Sequence, residues 1–289
     1  MTAVSIWLFI RIIAGVVVCG VMGATTWAVW RVREEVLEPK QAEERFLTML
    51  EESEVEEIEP GRGAFDKAME LIALGRVEEG REKLLYVVNF YPGSPVAPEC
   101  RRILGEMNLD ALLSTEQMEG KSVYKVQRGD SFLGIVAKND TSLDCLMHLN
   151  GLMGLGRLHP GDELIVMPLN LRVIIDPANL VLSLWDEGRF LKEYPLAHCD
   201  TGPVKAGART RIEAKTGVLD GAKVSPAVDG YRGADKVITL AVGGLSIRPM
   251  PADGGEKAGK GVYLPAPEVE ELALVLRAGN EVEIRPASR

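Results

Sequence analysis

Cysteine and histidine are the side chains of this sequence best suited to attack a carbonyl or hold a metal, and they are few. Four Cys and three His are spread over 289 residues. Acyl transfer through a thiolate needs a Cys with a base in hydrogen-bond reach. Cys199 follows His198 directly, but neighbouring residues of a strand point to opposite faces, so the two make no dyad. Cys145 and His148 stand at helical spacing on one face, where they read as a small buried thiol and a helix-end imidazole. Cys100 has no local partner, and Lys260 and Tyr263 have acid–base chemistry but no nucleophile beside them. No paired CxxC and no HExxH occurs, so no metal site is expected. Four Cys are also too few for a disulfide scaffold. The sequence assigns no catalytic residue and implies no cofactor.

A second kind of chemistry lies in residues 123–168, where short polar residues sit at turns between apolar runs. Val123 to Gln127 alternates as a strand. Gly129-Asp130 turns the chain, and Ser131 can cap a helix over Phe132–Lys138 whose Leu133, Ile135 and Val136 form a core face. Thr141 or Ser142 caps a second helix carrying Leu143, Leu146, Met147 and Leu149, which Asn150-Gly151 stops. His159 to Asp162 turns into a last strand over Glu163–Met167. The predicted order is strand–helix–helix–strand.

This segment resembles a lysin motif (LysM) domain, spanning residues 121–169. The resemblance rests on Tyr124-x-Val126, Gly129-Asp130-Ser131, Ile135-Val136-Ala137, Leu146, Leu149-Asn150, Leu152, Leu158, Pro160-Gly161 and Leu164. It implies binding of glycans containing N-acetylglucosamine, chiefly peptidoglycan or chitin, in a shallow groove between two loops. Carried over, that groove is lined by Gly129, Asp130, Ser131, Phe132, Asn150, Leu152 and Leu158. Each has a second reading that stays open: Asp130, Ser131 and Asn150 also cap and turn chains, and Leu152 and Leu158 also fill cores. One shallow site binds weakly, so tethering near the glycan would raise its effective concentration.

Residues 171–289 have a β texture: Leu171–Asp176, Leu180–Trp185, Arg189–Leu196, Val237–Val242, Leu245–Arg248 and Glu281–Arg285 read as strands, and Pro267–Arg277 as a helix. Asp186-Glu187-Gly188 is a hairpin turn. The opening IIDPANLVLSLWDEGRFLKEYPL and the closing PAPEVEELALVLRAGNEVEI are similar to the first hairpin and the last helix and strand of the L,D-transpeptidase (YkuD-like) domain. That family carries a His and then an SHGCxR segment, whose thiolate attacks an amide. Here Gly261 stands at the Cys position, Tyr263 at the Arg position, and Arg248 near the His position. The resemblance therefore implies a degenerate relative without catalytic residues.

Upstream, Ile12 to Trp30 is a charge-free run with Trp7, Trp27 and Trp30 near its ends. At about 1.5 Å per residue it nearly spans a bilayer core, and residues 1–33 are expected to be a single membrane anchor. Basic residues after the run favour a cytoplasmic C-terminal side; a glycan-binding role requires the reverse, and that is the orientation taken. Residues 34–60 form an acidic linker. Glu34 to Glu59 holds 11 Glu against Lys40 and Arg45, enough to account for the net charge of −9. The rest is balanced, which leaves no basic stripe for nucleic acid. Residues 61–115 read as helices, and Gly75, Gly80, Leu84 and Pro92 resemble about one and a half tetratricopeptide repeats. A protein partner would dock there.

The expected fold is multidomain α+β: a transmembrane helix, a helical hairpin module, a βααβ LysM domain and a mostly-β C-terminal domain. The expected role is a peptidoglycan-binding protein of the bacterial inner membrane, single-pass, with its bulk on the periplasmic or cell-wall side. The C-terminal domain is read as non-catalytic. Two further readings are an L,D-transpeptidase-like enzyme with a divergent site and an envelope scaffold acting through residues 61–115.

Overall fold

The computed structural model describes residues 19–31, 59–205, 207–225, 228, 230–251 and 258–286. The chain divides into two compact units, Met1–Glu59 and Pro60–Arg289. In the first, residues 19–31 are helical with exposed side chains. Among the described residues no helix is long and apolar enough to cross a membrane. Residues 12–18 of the expected span and most of the acidic linker lie outside the described residues.

The second unit opens with three helices, α1 (Arg62–Ala73), α2 (Val77–Phe90) and α3 (Ala97–Leu113). Gly75, at φ +77°, ends α1 by letting Arg76 N–H reach back to the Leu71 carbonyl, the left-handed stop that glycine allows. Gly80 lets α1 and α2 approach closely, since a Cβ there would lie 2.6 Å from Ile72. Ala68, Leu84, Val87, Ala97, Cys100 and Leu104 form the helical core, with Phe190 packed against it from the β region.

Next come β1 (Ser122–Lys125), α4 (Phe132–Lys138), α5 (Leu143–Leu149) and β2 (Glu163–Val166). The two strands pair antiparallel, Tyr124 opposite Leu164. Ser131 Oγ accepts from Gly134 N–H and Ser142 Oγ from Cys145 N–H, so both helices start at serine caps. Ser142 rather than Thr141 takes the second position. Val126, Ile135, Leu146, Leu164 and Val166 make a small core between the strands and helices.

The remaining strands are β3 (Leu171–Asp176), β4 (Val181–Asp186), β5 (Arg189–Pro195), β6 (His198–Asp200), β7 (Arg209–Leu219), β8 (Ala222–Val224), β9 (Asp235–Leu240), β10 (Ser246–Pro249), β11 (Gly261–Leu264) and β12 (Glu281–Ile284), with α6 (Ala266–Val275) before the last. They form one sheet in the order β5-β4-β3-β12-β7-β9-β10-β11-β6, with β8 pairing β7. The β4–β5 turn has positive φ at both Glu187 and Gly188, the two-residue geometry that matches strand twist. Four strands, β6, β7, β8 and β11, escape the sequence pattern. In β7 most residues are exposed or half-buried and only Ile212 and Gly217 are buried, so no apolar alternation marks it.

The helical and βααβ segments each have a cluster of their own, and both also contribute to that of the β segment. Leu109 of α3, Cys145 and Leu149 of α5, and Met167 belong to the same cluster as the sheet and α6. Every residue of α5 except His148 is buried. Asp144 pairs with Lys215 of β7 at 2.5 Å, Ser142 Oγ donates to the Leu274 carbonyl, and Asn108 of α3 donates to the carbonyls of Phe190 and Leu191.

Candidate functional site

The two loops that the sequence singled out are the β1–α4 turn and the segment after α5. Gly129 adopts φ +90° in the first and is exposed. Asp130 points inward: its side chain is 6% exposed and accepts from Tyr124 Oη at 2.8 Å, Gln127 N–H at 2.8 Å and Lys138 Nζ at 2.7 Å. The Lys138 ammonium, helped by the other two donors, lowers its pKa to about 2. Ser131 is exposed, with Oγ bound to Gly134 N–H. Phe132 is half-buried against the small core.

In the second loop Asn150 acts as a clasp. Its Nδ2 donates to the carbonyls of Leu146 and Ile165 and its Oδ1 accepts from Ile165 N–H. Leu152 and Leu158 are half-buried, Leu158 against the small core. The candidate residues thus divide. Gly129 and Ser131 are open to solvent; Phe132, Leu152 and Leu158 present part of an apolar surface; the Asp130 and Asn150 side chains are engaged in shaping their loops.

Two exposed apolar residues beside these loops fall outside the sequence reading of the groove. Leu133 is 59% exposed and Met153 is 84% exposed, next in sequence to Phe132 and Leu152. Leu133 had been placed with Ile135 on a core face. Residues two positions apart on a helix lie about 200° apart around its axis, so with Ile135 buried Leu133 must face out. An apolar residue set beside short polar groups can cover a sugar face while hydroxyls and amides are read at its edge.

A second cluster forms around β11. β10 pairs with it on one side and β6 on the other, with Arg248 opposite Tyr263 and His198 opposite Tyr263. The His198 ring lies 5.7 Å from the Tyr263 ring, and the Arg248 guanidinium 5.8 Å. Arg248 Nε also donates to Ser246 Oγ at 2.9 Å. By sequence His198 lies far from this position; pairing of β6 with β11 corrects that and brings it alongside. Cys199 faces the other way, against the main core, as strand alternation requires. Burial pushes its thiol up to about 11, and burial does the same for Cys145 and Cys100. None of the three is a thiolate at neutral pH. At Gly261 an added Cβ would meet Tyr263 Cε2 at 2.8 Å, so an aromatic ring fills the space a nucleophile at that position would need. Among the described residues no group of His, Cys, Asp and Glu could hold a metal ion.

A cleft of about 430 Å³ is lined by residues of α3, α5 and α6 with Arg232 and Lys236, and includes none of the seven glycan-loop candidates. Three of its four carboxylates are paired, Asp144 with Lys215, Glu270 with Lys236 and Glu271 with Lys192; Asp110 has no ion pair among the described residues.

Residues 124–166 match the LysM domain family, the βααβ segment just described. The chain therefore contains a LysM domain in its middle. No curated protein matches the chain. Among solved structures it is similar to an Enterococcus faecium L,D-transpeptidase at 13% identity and TM-score 0.29, over 40% of this chain and 49% of that one. It is similar to Mycobacterium tuberculosis L,D-transpeptidase 1 at 12% identity and TM-score 0.30, over 44% and 69%. It is also similar to the catalytic domain of an E. faecium L,D-transpeptidase at 14% and 0.28, over 40% and 97%. The chain spans about half the length of the longer E. faecium protein.

Proposed function

We propose that this protein binds peptidoglycan through its LysM domain, at the cell-wall face of a bacterial inner membrane, and that its C-terminal domain is non-catalytic. One observation carries the reading. The LysM helix α5 is buried against α6 and the C-terminal core, yet Gly129, Ser131 and Met153 of the two glycan loops and Leu133 at the start of α4 stay exposed. Apolar side chains left open there, beside turn backbone and a serine hydroxyl, suit an N-acetylated sugar. Anchoring by residues 1–33 is proposed from the charge-free run at Ile12 to Trp30. Non-catalysis is proposed from Gly261, the Tyr263 ring over it and the high thiol pKa of Cys199. Sedimentation of residues 60–289 with isolated sacculi tests the proposal. Wild type should pellet, and Leu133→Asp with Met153→Asp should stay in the supernatant; wild type remaining soluble would overturn the function.

The second reading, a transpeptidase with a divergent site, is favoured by one observation, the convergence of His198, Tyr263 and Arg248 around Gly261. Incubation with tetrapeptide-bearing muropeptides tests it. A crosslinked product that disappears in Tyr263→Phe or His198→Ala would establish that enzyme activity.

A further inference from the structure

We propose that Arg232, a residue of the C-terminal domain, is part of the LysM groove and gives it preference for a carboxylate-bearing glycan over a neutral one. The inference rests on the glycan-binding function proposed above. Arg232 lies in a one-turn helix, Tyr231–Gly233, between β8 and β9. Tyr231 anchors that turn: it is buried, and its Oη donates to Asp144 of α5 at 3.3 Å. The turn is held again from inside by Lys236, whose ammonium donates to the carbonyls of Tyr231 and Ala234. Arg232 is thereby carried to the second glycan loop, where its Nη1 donates to the Leu152 carbonyl at 2.8 Å and reaches Met153 Sδ at 3.1 Å.

That carbonyl engages one corner of an exposed guanidinium, and further N–H donors remain. Arg232 also borders the cleft between α3, α5 and α6, where Asp144 pairs with Lys215, Glu270 with Lys236 and Glu271 with Lys192, and where Asp110 is exposed without an ion pair among the described residues. Arg232 makes no ion pair among the described residues. The loops themselves add Arg128 and Arg157, both exposed and also without an ion pair among the described residues. Asp130 does not offset them, because Lys138 holds it; Asp162, beyond Leu158, accepts from His159 N–H and offsets one of the three arginines. The rim of the groove is therefore cationic around an apolar lip of Leu133, Leu152 and Met153. A guanidinium held in place favours a carboxylate because both are planar and can bond in parallel. The lactyl groups on alternate sugars of a peptidoglycan strand are free carboxylates where the stem peptide has been removed; a chain of N-acetylglucosamine alone carries none.

The test uses the full chain and titration calorimetry with two probes: a neutral N-acetylglucosamine tetramer, and a peptidoglycan-derived tetrasaccharide with free lactyl carboxylates. Wild type should bind the anionic probe about fivefold more tightly, the upper range of an exposed ion pair, and the preference should shrink with salt. Arg232→Gln keeps a donor for the Leu152 carbonyl but loses the charge. It should bring the two affinities together while leaving the neutral probe within about twofold, and Arg232→Lys should retain most of the preference. Equal wild-type affinities, a preference that survives Arg232→Gln, or an equal loss for both probes would each overturn the inference while leaving glycan binding standing. Binding of neither probe by wild type would overturn the glycan-binding function and the inference with it.

Discussion

Replacing Asp144 by Ala would strand a buried ammonium. The Asp144 and Lys215 side chains are 9% and 11% exposed and 2.5 Å apart, and burial lowers the Lys215 pKa even with its partner present. Removing one member of such a pair typically costs about 3–5 kcal/mol. The structure sets limits within that range. Lys215 Nζ also donates to the carbonyls of Ala273 and Leu276, which stay in place and favour the lower figure. The ceiling is the work of deprotonating a lysine at pH 7, about 1.36 kcal/mol per pH unit over about 3.4 units, or about 4.6 kcal/mol. For a unit of this size each kcal/mol moves Tm by about 2–4 °C, so a loss near 3 kcal/mol lowers Tm by about 6–12 °C. Calorimetry and urea unfolding of residues 60–289 measure this. Because α5 shares its core with the sheet, wild type and variant should each unfold in a single transition. The sign with pH follows from the depressed lysine: losing Asp144 lowers the folded pKa further, so between the variant's folded pKa and the wild type's only the variant binds more protons unfolded than folded, and its deficit narrows as pH rises through that window and is constant above it. Asp144→Leu with Lys215→Met should recover most of the loss. A deficit under about 1 kcal/mol, or a separate LysM transition, would refute the reasoning.

Three further outcomes follow. Asp130 should titrate near 2 by carboxyl NMR; since its folded pKa is depressed, its contribution is present above about 3.9 and lost as pH falls through about 2. Lys138→Met should move that midpoint back towards the ordinary value. Asn150→Ala strips partners from Ile165 N–H and from the Leu146 and Ile165 carbonyls, and should cost about 1–3 kcal/mol in urea unfolding together with sacculus binding. Gly261→Cys should lower stability by about 1–3 kcal/mol, because the new side chain meets the Tyr263 ring in a packed core, and mass spectrometry should find no muropeptide exchange; product formation would show that a nucleophile fits there.

Much of the local structure was legible from residue order. α4 and β3 begin and end where apolar spacing and turn residues place them, α1 to α3 fall within residues 61–115, and α4 and α5 start at serine caps, Ser142 being one of the two residues expected for the second. Capping, helical periodicity and two-residue turns act over a few residues, so a short stretch of sequence determines them. The βααβ order and its two loops belong to that class. What the chain does beyond it was settled by contacts between distant segments. Strand β7 carries too little apolar alternation to be read alone, and it forms because β12 and β9 flank it. His198 reaches Tyr263 only through β6–β11 pairing. Asp130 and Asn150 looked like sugar-reading groups, but Lys138, Tyr124 and the β2 backbone engage them. Arg232 could not be linked to the LysM groove from sequence, because nothing in its neighbourhood signals that Tyr231 will seat against Asp144. Short-range hydrogen bonds and periodicity decide which elements form; burial and long-range pairing decide which side chains remain free to meet a ligand.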